Sequence, residues 1–199
     1  MTKGKIGRPR SEKAREAVVQ AAHDLLTEEG AAGLSIEAVA KRAGVGRPTI
    51  YRWWPSAADI ALEAVLRRAD ADIPVPAVEP LEEALGLFLR RSMRALDWGG
   101  PHLRFLMAQA QKDAAFGERF REGFVARRRA VMLSLLQRAG ESGRRSSGIG
   151  LDLAVDMVFG AMWYRLLTGH APLDAAFADD LTEAAMRLVQ EDHAPSDVP

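Results

Sequence analysis

Apolar side chains recur every three to four residues along most of this 199-residue chain, a period that predicts one helix after another. Over residues 11–29 the repeat runs through Ala14, Ala17, Val18, Ala21, Ala22, Leu25 and Leu26, with Ser11 as a cap and Gly30 as the stop. A second helix opens at Ser35, carries Glu37 in its first turn, buries Ile36, Val39, Ala40 and Ala43, and ends at Gly44. After Gly44-Val45-Gly46 comes a short third helix over residues 47–54, with Pro48 in the first turn, where no amide partner is lost. Ser56 and Asp59 form a start resembling a capping box for a fourth helix that runs to Arg68.

Between Asp72 and Pro80 three prolines fall in nine residues, which excludes helix and predicts a domain boundary. Helical patterns then resume. They cover residues 81–96 (Leu85, Phe88, Leu89, Ser92, Leu96), a short piece at 103–111 after Pro101, and a long stretch at 116–139 with Phe120, Phe124, Val131 and Leu135 on one side. A Gly/Ser loop with Arg144 and Arg145 follows at 140–150. Residues 151–168 are apolar almost all round, which predicts burial on more than one side, and 177–190 are amphipathic. No strand pattern is visible, so the expected class is all-α. The expected division is a basic arm at 1–10, a helix-turn-helix domain at 11–55, a connecting helix at 56–72, a second helical domain at 80–192 and a disordered tail at 193–199.

Charge changes the picture more than composition does. Lys+Arg and Asp+Glu number 27 each, which taken alone argues against a nucleic-acid partner. The distribution reverses that: residues 1–68 hold 12 basic against 8 acidic side chains, and 69–199 hold 15 against 19, so the halves carry +4 and −4. The basic end is the candidate anion-binding end. With no cysteine, disulfides and thiolate metal sites are excluded, and the four histidines show no metal-ligand spacing, so no metal or cofactor is expected. No apolar run reaches the roughly 18 residues needed to span a bilayer. The chain reads as a cytoplasmic protein without a membrane partner.

The second and third helices, joined by a glycine-containing turn, can cross steeply and offer the third to a major groove of double-stranded DNA. Ala40 and Ala43 permit the approach, while Val45 and Ile50 plug the joint. Arg47 can fork onto a guanine, Thr49 can meet a base edge or a thymine methyl, and Tyr51, Arg52 and the Trp53 indole can donate to phosphates. Ser35 and Pro48 complete this candidate surface. Trp54 takes the opposite role of core anchor, because neighbours on a helix point about 100° apart and three adjacent rings cannot all be buried. The arm at Gly7-Arg8-Pro9-Arg10 resembles half of an AT-hook, a minor-groove reader, with Ile6 where the hook has a further arginine; a generic basic tail is the alternative. Arg8 and Arg10 are DNA-contact candidates in either case.

From Ala14 to Ile60, with LSIEAVAKRAGVG and then PTIYRWWPS, the chain resembles the DNA-binding domain of the TetR/AcrR family. The resemblance implies nine or ten helices, dimerisation through the last two long helices, a palindromic operator, and release by a small molecule held in the C-terminal domain. One position departs. After Ser56 the family often has a lysine that contacts phosphate, and here it is Ala57; the backbone amides of that helix end remain available.

By chemistry, Trp98, His102, Phe105, Phe124, Met162, Trp163 and Tyr164 are candidates for an effector pocket, although each also reads as ordinary core. A homodimer seam is expected from Leu153, Met157, Gly160 and Ala161 together with Phe177, Leu181, Ala184 and Leu188. The expected function is a ligand-released repressor. A DNA-binding regulator without an effector is the first alternative. An enzyme is a remote one, since no catalytic cluster or phosphate cradle is visible.

Overall fold

A computed structural model describes residues 8–77, 80–141 and 150–189, and every regular element among them is helical. Among the described residues nine α-helices succeed one another: α1 (Arg8–Glu29), α2 (Ile36–Ala43), α3 (Arg47–Tyr51), α4 (Ala57–Asp72), α5 (Leu81–Lys112), α6 (Ala114–Phe120), α7 (Ala126–Glu141), α8 (Leu151–Thr168) and α9 (Ala175–Val189). A 3₁₀ turn at Gly30–Gly33 follows α1, and a π-helical turn at Arg121–Val125 links α6 to α7.

Local signals set most boundaries. Gly30 and Gly44 adopt φ +67° and +66°, a left-handed conformation that side chains bearing a Cβ rarely take, so α1 and α2 end there. Ser35 caps α2, its Oγ accepting from the Ala38 N–H at 3.1 Å. At the head of α4 the Asp59 N–H donates to Ser56 Oγ at 3.3 Å, the capping-box start the spacing predicts.

Several boundaries differ from the sequence expectation: α3 ends at Tyr51 rather than at 54, α4 runs past Arg68 to Asp72, and α9 covers Ala175–Val189 where 177–190 was expected. Helix α1 starts at Arg8, ahead of Ser11, which places Arg8 and Arg10 in its first turn; Pro9 is tolerated there because a first-turn amide has no partner to lose. Residues 1–7, 142–149 (with Arg144 and Arg145) and the expected tail at 193–199 lie outside the described residues. Helix α5 runs unbroken through Pro101. An interior proline costs about 3 kcal/mol, and burial of Leu103 and Leu106 on the next turns, at about 1.5–3 kcal/mol each, offsets it. The stretch expected at 116–139 starts earlier, at Ala114 under an Asp113 cap, and takes its π turn at Arg121–Val125.

The chain forms two compact units. Among the described residues the first holds those up to Ala71 together with Trp98–Phe124, so the second half of α5, all of α6 and the π turn as far as Phe124 pack with the helix-turn-helix. Its core includes Val18, Ala22, Leu25 and Leu26 of α1, Val39 of α2 and Ile50 of α3. Within this unit α6 approaches α5 at a glycine: a Cβ on Gly117 would stand 2.9 Å from the Ala110 carbonyl oxygen, a distance only glycine avoids. The second unit holds Asp72–Asp97 and the residues from Val125, with Leu85, Phe88, Leu89, Met132, Leu135, Val155, Val158 and Ala178 in its core.

Candidate nucleic-acid interface

The joint between α2 and α3 is built for close approach. Left-handed Gly44 turns the chain, the Val45 N–H donates back to the Ala40 carbonyl at 3.1 Å, and Gly46 starts α3 in extended backbone. Ile50 is fully buried and pins the five-residue α3 against its neighbours. Arg47, Pro48, Tyr51 and Arg52 are exposed and Thr49 is half-buried; Arg52 and Trp53 follow the helix in a turn.

The three adjacent rings divide as the 100° spacing requires. Tyr51 is 56% exposed and Trp53 40%, while Trp54 is buried. The Trp54 indole N–H donates to Glu63 Oε2 at 2.8 Å, which anchors the end of α3 to α4. Glu63 also accepts from Arg67 at 2.6 Å and pairs with Arg15 at 3.0 Å, and the Arg15 guanidinium lies 5.4 Å from the Trp53 ring centre. Trp53 is therefore an exposed ring backed by a cation rather than a free side chain.

Arg47 is not free either. Its Nη1 donates to Glu37 Oε1 at 2.9 Å, across the helix joint. The Glu37 carboxyl is held below the usual range, first by a backbone hydrogen bond and then by Arg47. A base or phosphate must therefore displace or share this contact. Ser35, whose Oγ serves as the α2 cap, can offer DNA only what that bond leaves over.

Comparison with known proteins settles what this geometry belongs to. Residues 18–64 match the family described as bacterial regulatory proteins, tetR family, and residues 75–185 match the family described as tetracyclin repressor-like, C-terminal domain. The chain is 31% identical to the crystallised TetR family transcription regulator SCO0332, with a TM-score of 0.78 over 90% of this chain and 100% of that one. It belongs to the TetR family. It is also similar to the uncharacterized HTH-type transcriptional regulator YdeS of Bacillus subtilis (strain 168), 29% identical over 187 residues and 94% of each protein. A putative TetR-family regulator from Mesorhizobium loti, at 23% identity, shares the fold with a TM-score of 0.70, over 92% of this chain and 100% of its own. The TetR family and these relatives are transcriptional regulators, not enzymes. Among the described residues no helix is long and apolar enough to cross a membrane.

The residues suggested for a TetR effector pocket fall in both units. Trp98, His102, Phe105 and Phe124 belong to the first, and Met162, Trp163 and Tyr164 to the second. Trp98 stacks on His23 of α1 at 5.0 Å, meets His102 edge-on at 4.5 Å and donates its indole N–H to Thr27 Oγ1 at 2.9 Å. Phe124 stacks on Phe120 at 5.6 Å. Phe105 and Trp163 are half-buried and Met162 is buried. Tyr164 corrects an expectation: it is 63% exposed, its ring against His170 at 4.7 Å, so it does not face a buried interior of its own unit.

On α8 the side chains of Leu153, Met157, Tyr164 and Leu167 are exposed, and Gly160 is exposed between them. Their spacings of four, three, four and three draw one straight apolar stripe. Burial on more than one side was expected of this helix, and this stripe is the side its own chain leaves uncovered. The α9 half of the expected seam differs. Phe177 and Leu181 are buried in their own unit, where Arg165 lies over the Phe177 ring; Ala184 is exposed and Leu188 half-buried, as is Ala161 on α8.

Sequence reasoning read Glu37 only as a first-turn acid and missed its hold on Arg47. It also missed Arg15 and Glu63, which hold the interface side chains, and Arg119, which reaches α4 from 60 positions away. Only Asp59 left a signal: an acid among Ile60, Ala61 and Leu62 needs a buried partner.

Proposed function

We propose that this TetR-family regulator works in the cytoplasm as a homodimer that grips a palindromic operator through α3, represses transcription there, and is released by a small molecule bound in the C-terminal domain. The observation that carries the reading is the exposed polar and aromatic surface of α3 and the turn after it, with Arg47, Tyr51, Arg52 and Trp53, held by buried Ile50 and Trp54. That is a rigid element with base- and phosphate-seeking chemistry turned outward.

The apolar stripe on α8 supports the homodimer, since a second copy burying it removes Leu153, Met157 and Leu167 from water, and exposed Ala184 leaves room for close approach along α9. Release by a small molecule is supported by membership of the family rather than by a set of converging side chains. The test is a mobility-shift titration on a duplex selected by the protein from a random-sequence pool, repeated with compounds that raise its unfolding temperature. Two chains per duplex, and weakening by a stabilising compound, are expected. If compounds stabilise the protein and none weakens the complex, release by an effector is wrong; one chain per duplex refutes the dimer.

A further inference from the structure

The first unit contains a buried carboxylate that the DNA-binding surface does not use directly. Asp59 is the third residue of α4, and its side chain is 6% exposed. Arg119 of α6 forks onto it, Nε donating to Oδ1 at 2.6 Å and Nη2 to Oδ2 at 3.2 Å. The Ser56 hydroxyl donates to Oδ2 at 2.7 Å and accepts from the Asp59 N–H, so one carboxylate ties the first turn of α4 to α6. The guanidinium is itself held, lying 5.8 Å from the Phe116 ring centre. Along the same face of α4, Leu62 and Leu66 lie against Gly123 of the π turn, so the polar clasp sits at the end of an apolar contact.

Four residues separate Tyr51, the end of α3, from Ser56, and within them Trp54 is fastened to Glu63, one turn beyond Asp59. The position of α3 thus follows from the position of the first turns of α4. We infer that Arg119 is a positioning residue for operator recognition: without touching DNA, its two-point hold on Asp59 fixes the α4 turn from which the recognition helix is hung. The inference rests on the proposed role of α3. A fork, unlike a point charge, sets the orientation of the carboxylate plane as well as its distance, so lysine cannot replace it.

The test compares the full-length wild type with Arg119→Lys, Arg119→Met and Asp59→Asn, using the duplex the wild type selects and an unrelated duplex of equal length. Lysine neutralises Asp59 without forking, so Arg119→Lys is expected to unfold near the wild-type temperature yet bind the selected duplex about tenfold more weakly, with binding to the unrelated duplex within about twofold. Asp59→Asn leaves no buried charge unpaired and is expected to show the same selective loss; it serves where the Arg119→Met protein does not fold. Wild-type preference for the selected duplex in folded Arg119→Lys or Asp59→Asn overturns the inference, as does an equal loss on both duplexes. Arg47→Ala is the control. If it too binds like the wild type, the role of α3 has failed; if it loses binding while the Arg119 and Asp59 variants keep it, only the positioning claim has failed.

Discussion

In the proposed reading Arg47 and Tyr51, both within the five residues of α3, contact the operator, and both are exposed, so their removal separates binding from folding. Arg47→Ala is expected to weaken operator binding by about 10- to 100-fold, the 1–3 kcal/mol of a forked base contact. Tyr51→Phe removes one hydroxyl donor and is expected to cost about three- to tenfold. Mobility shifts give the affinities, and thermal unfolding should match the wild type in both. His102 tests a different property. It is 4% exposed, its Nδ1 has no hydrogen-bond partner among the described residues, and burial, followed by the neighbouring His23, holds its pKa below the ordinary histidine value of 6.5. The unfolded chain therefore binds this proton more readily than the folded one, so the contribution is full above pH 6.5 and is lost as pH falls from there towards the lowered folded value. Unfolding temperatures from pH 7.5 to 5 should drop less steeply in His102→Phe; an unchanged slope contradicts the assignment. In the sequence His102 could be singled out only by its chemistry. Its packing against Trp98, itself stacked on His23 of α1, depends on pairing residues some 75 positions apart, which no local pattern encodes.

Among the elements, α2 and the starts of α3 and α4 were legible because each is written in local chemistry: the Ser35 cap, left-handed Gly44, Pro48 in a first turn, and Ser56 with Asp59. The continuity of α5 was not, because Pro101 signals a break locally while burial of Leu103 and Leu106 outweighs it. The π turn at Arg121–Val125 likewise carries no residue code beyond Gly123, whose neighbours Leu62 and Leu66 lie far back in the chain. For α8 the pattern revealed apolar positions on all sides but not which side its own chain would cover. Its exposed stripe gives a direct prediction. Met157→Glu, at the middle of the stripe, should convert dimer to monomer in light scattering with helicity retained in circular dichroism; a dimer of unchanged stability contradicts the placement of the seam on α8.

For the molecule as a whole, neutrality conceals a basic first third and an acidic remainder. Affinity for DNA should therefore fall steeply with salt; a protein contacting about 6–10 phosphates loses about 10³- to 10⁵-fold between 50 and 200 mM. A flat salt response in a filter-binding or fluorescence titration contradicts a phosphate grip by that end. The packing of Trp98–Phe124 with the helix-turn-helix was not legible in the sequence, since it depends on contacts such as Arg119 to Asp59 across 60 residues. The central claim is that α3, presented twice by a symmetric dimer, reads bases. Selection of bound duplexes from a random-sequence pool tests it most directly. The account predicts a two-fold symmetric motif with half-sites about one helical turn, roughly 34 Å, apart, and its disappearance with Arg47→Ala; no enriched motif, or the same motif recovered by Arg47→Ala, would contradict it.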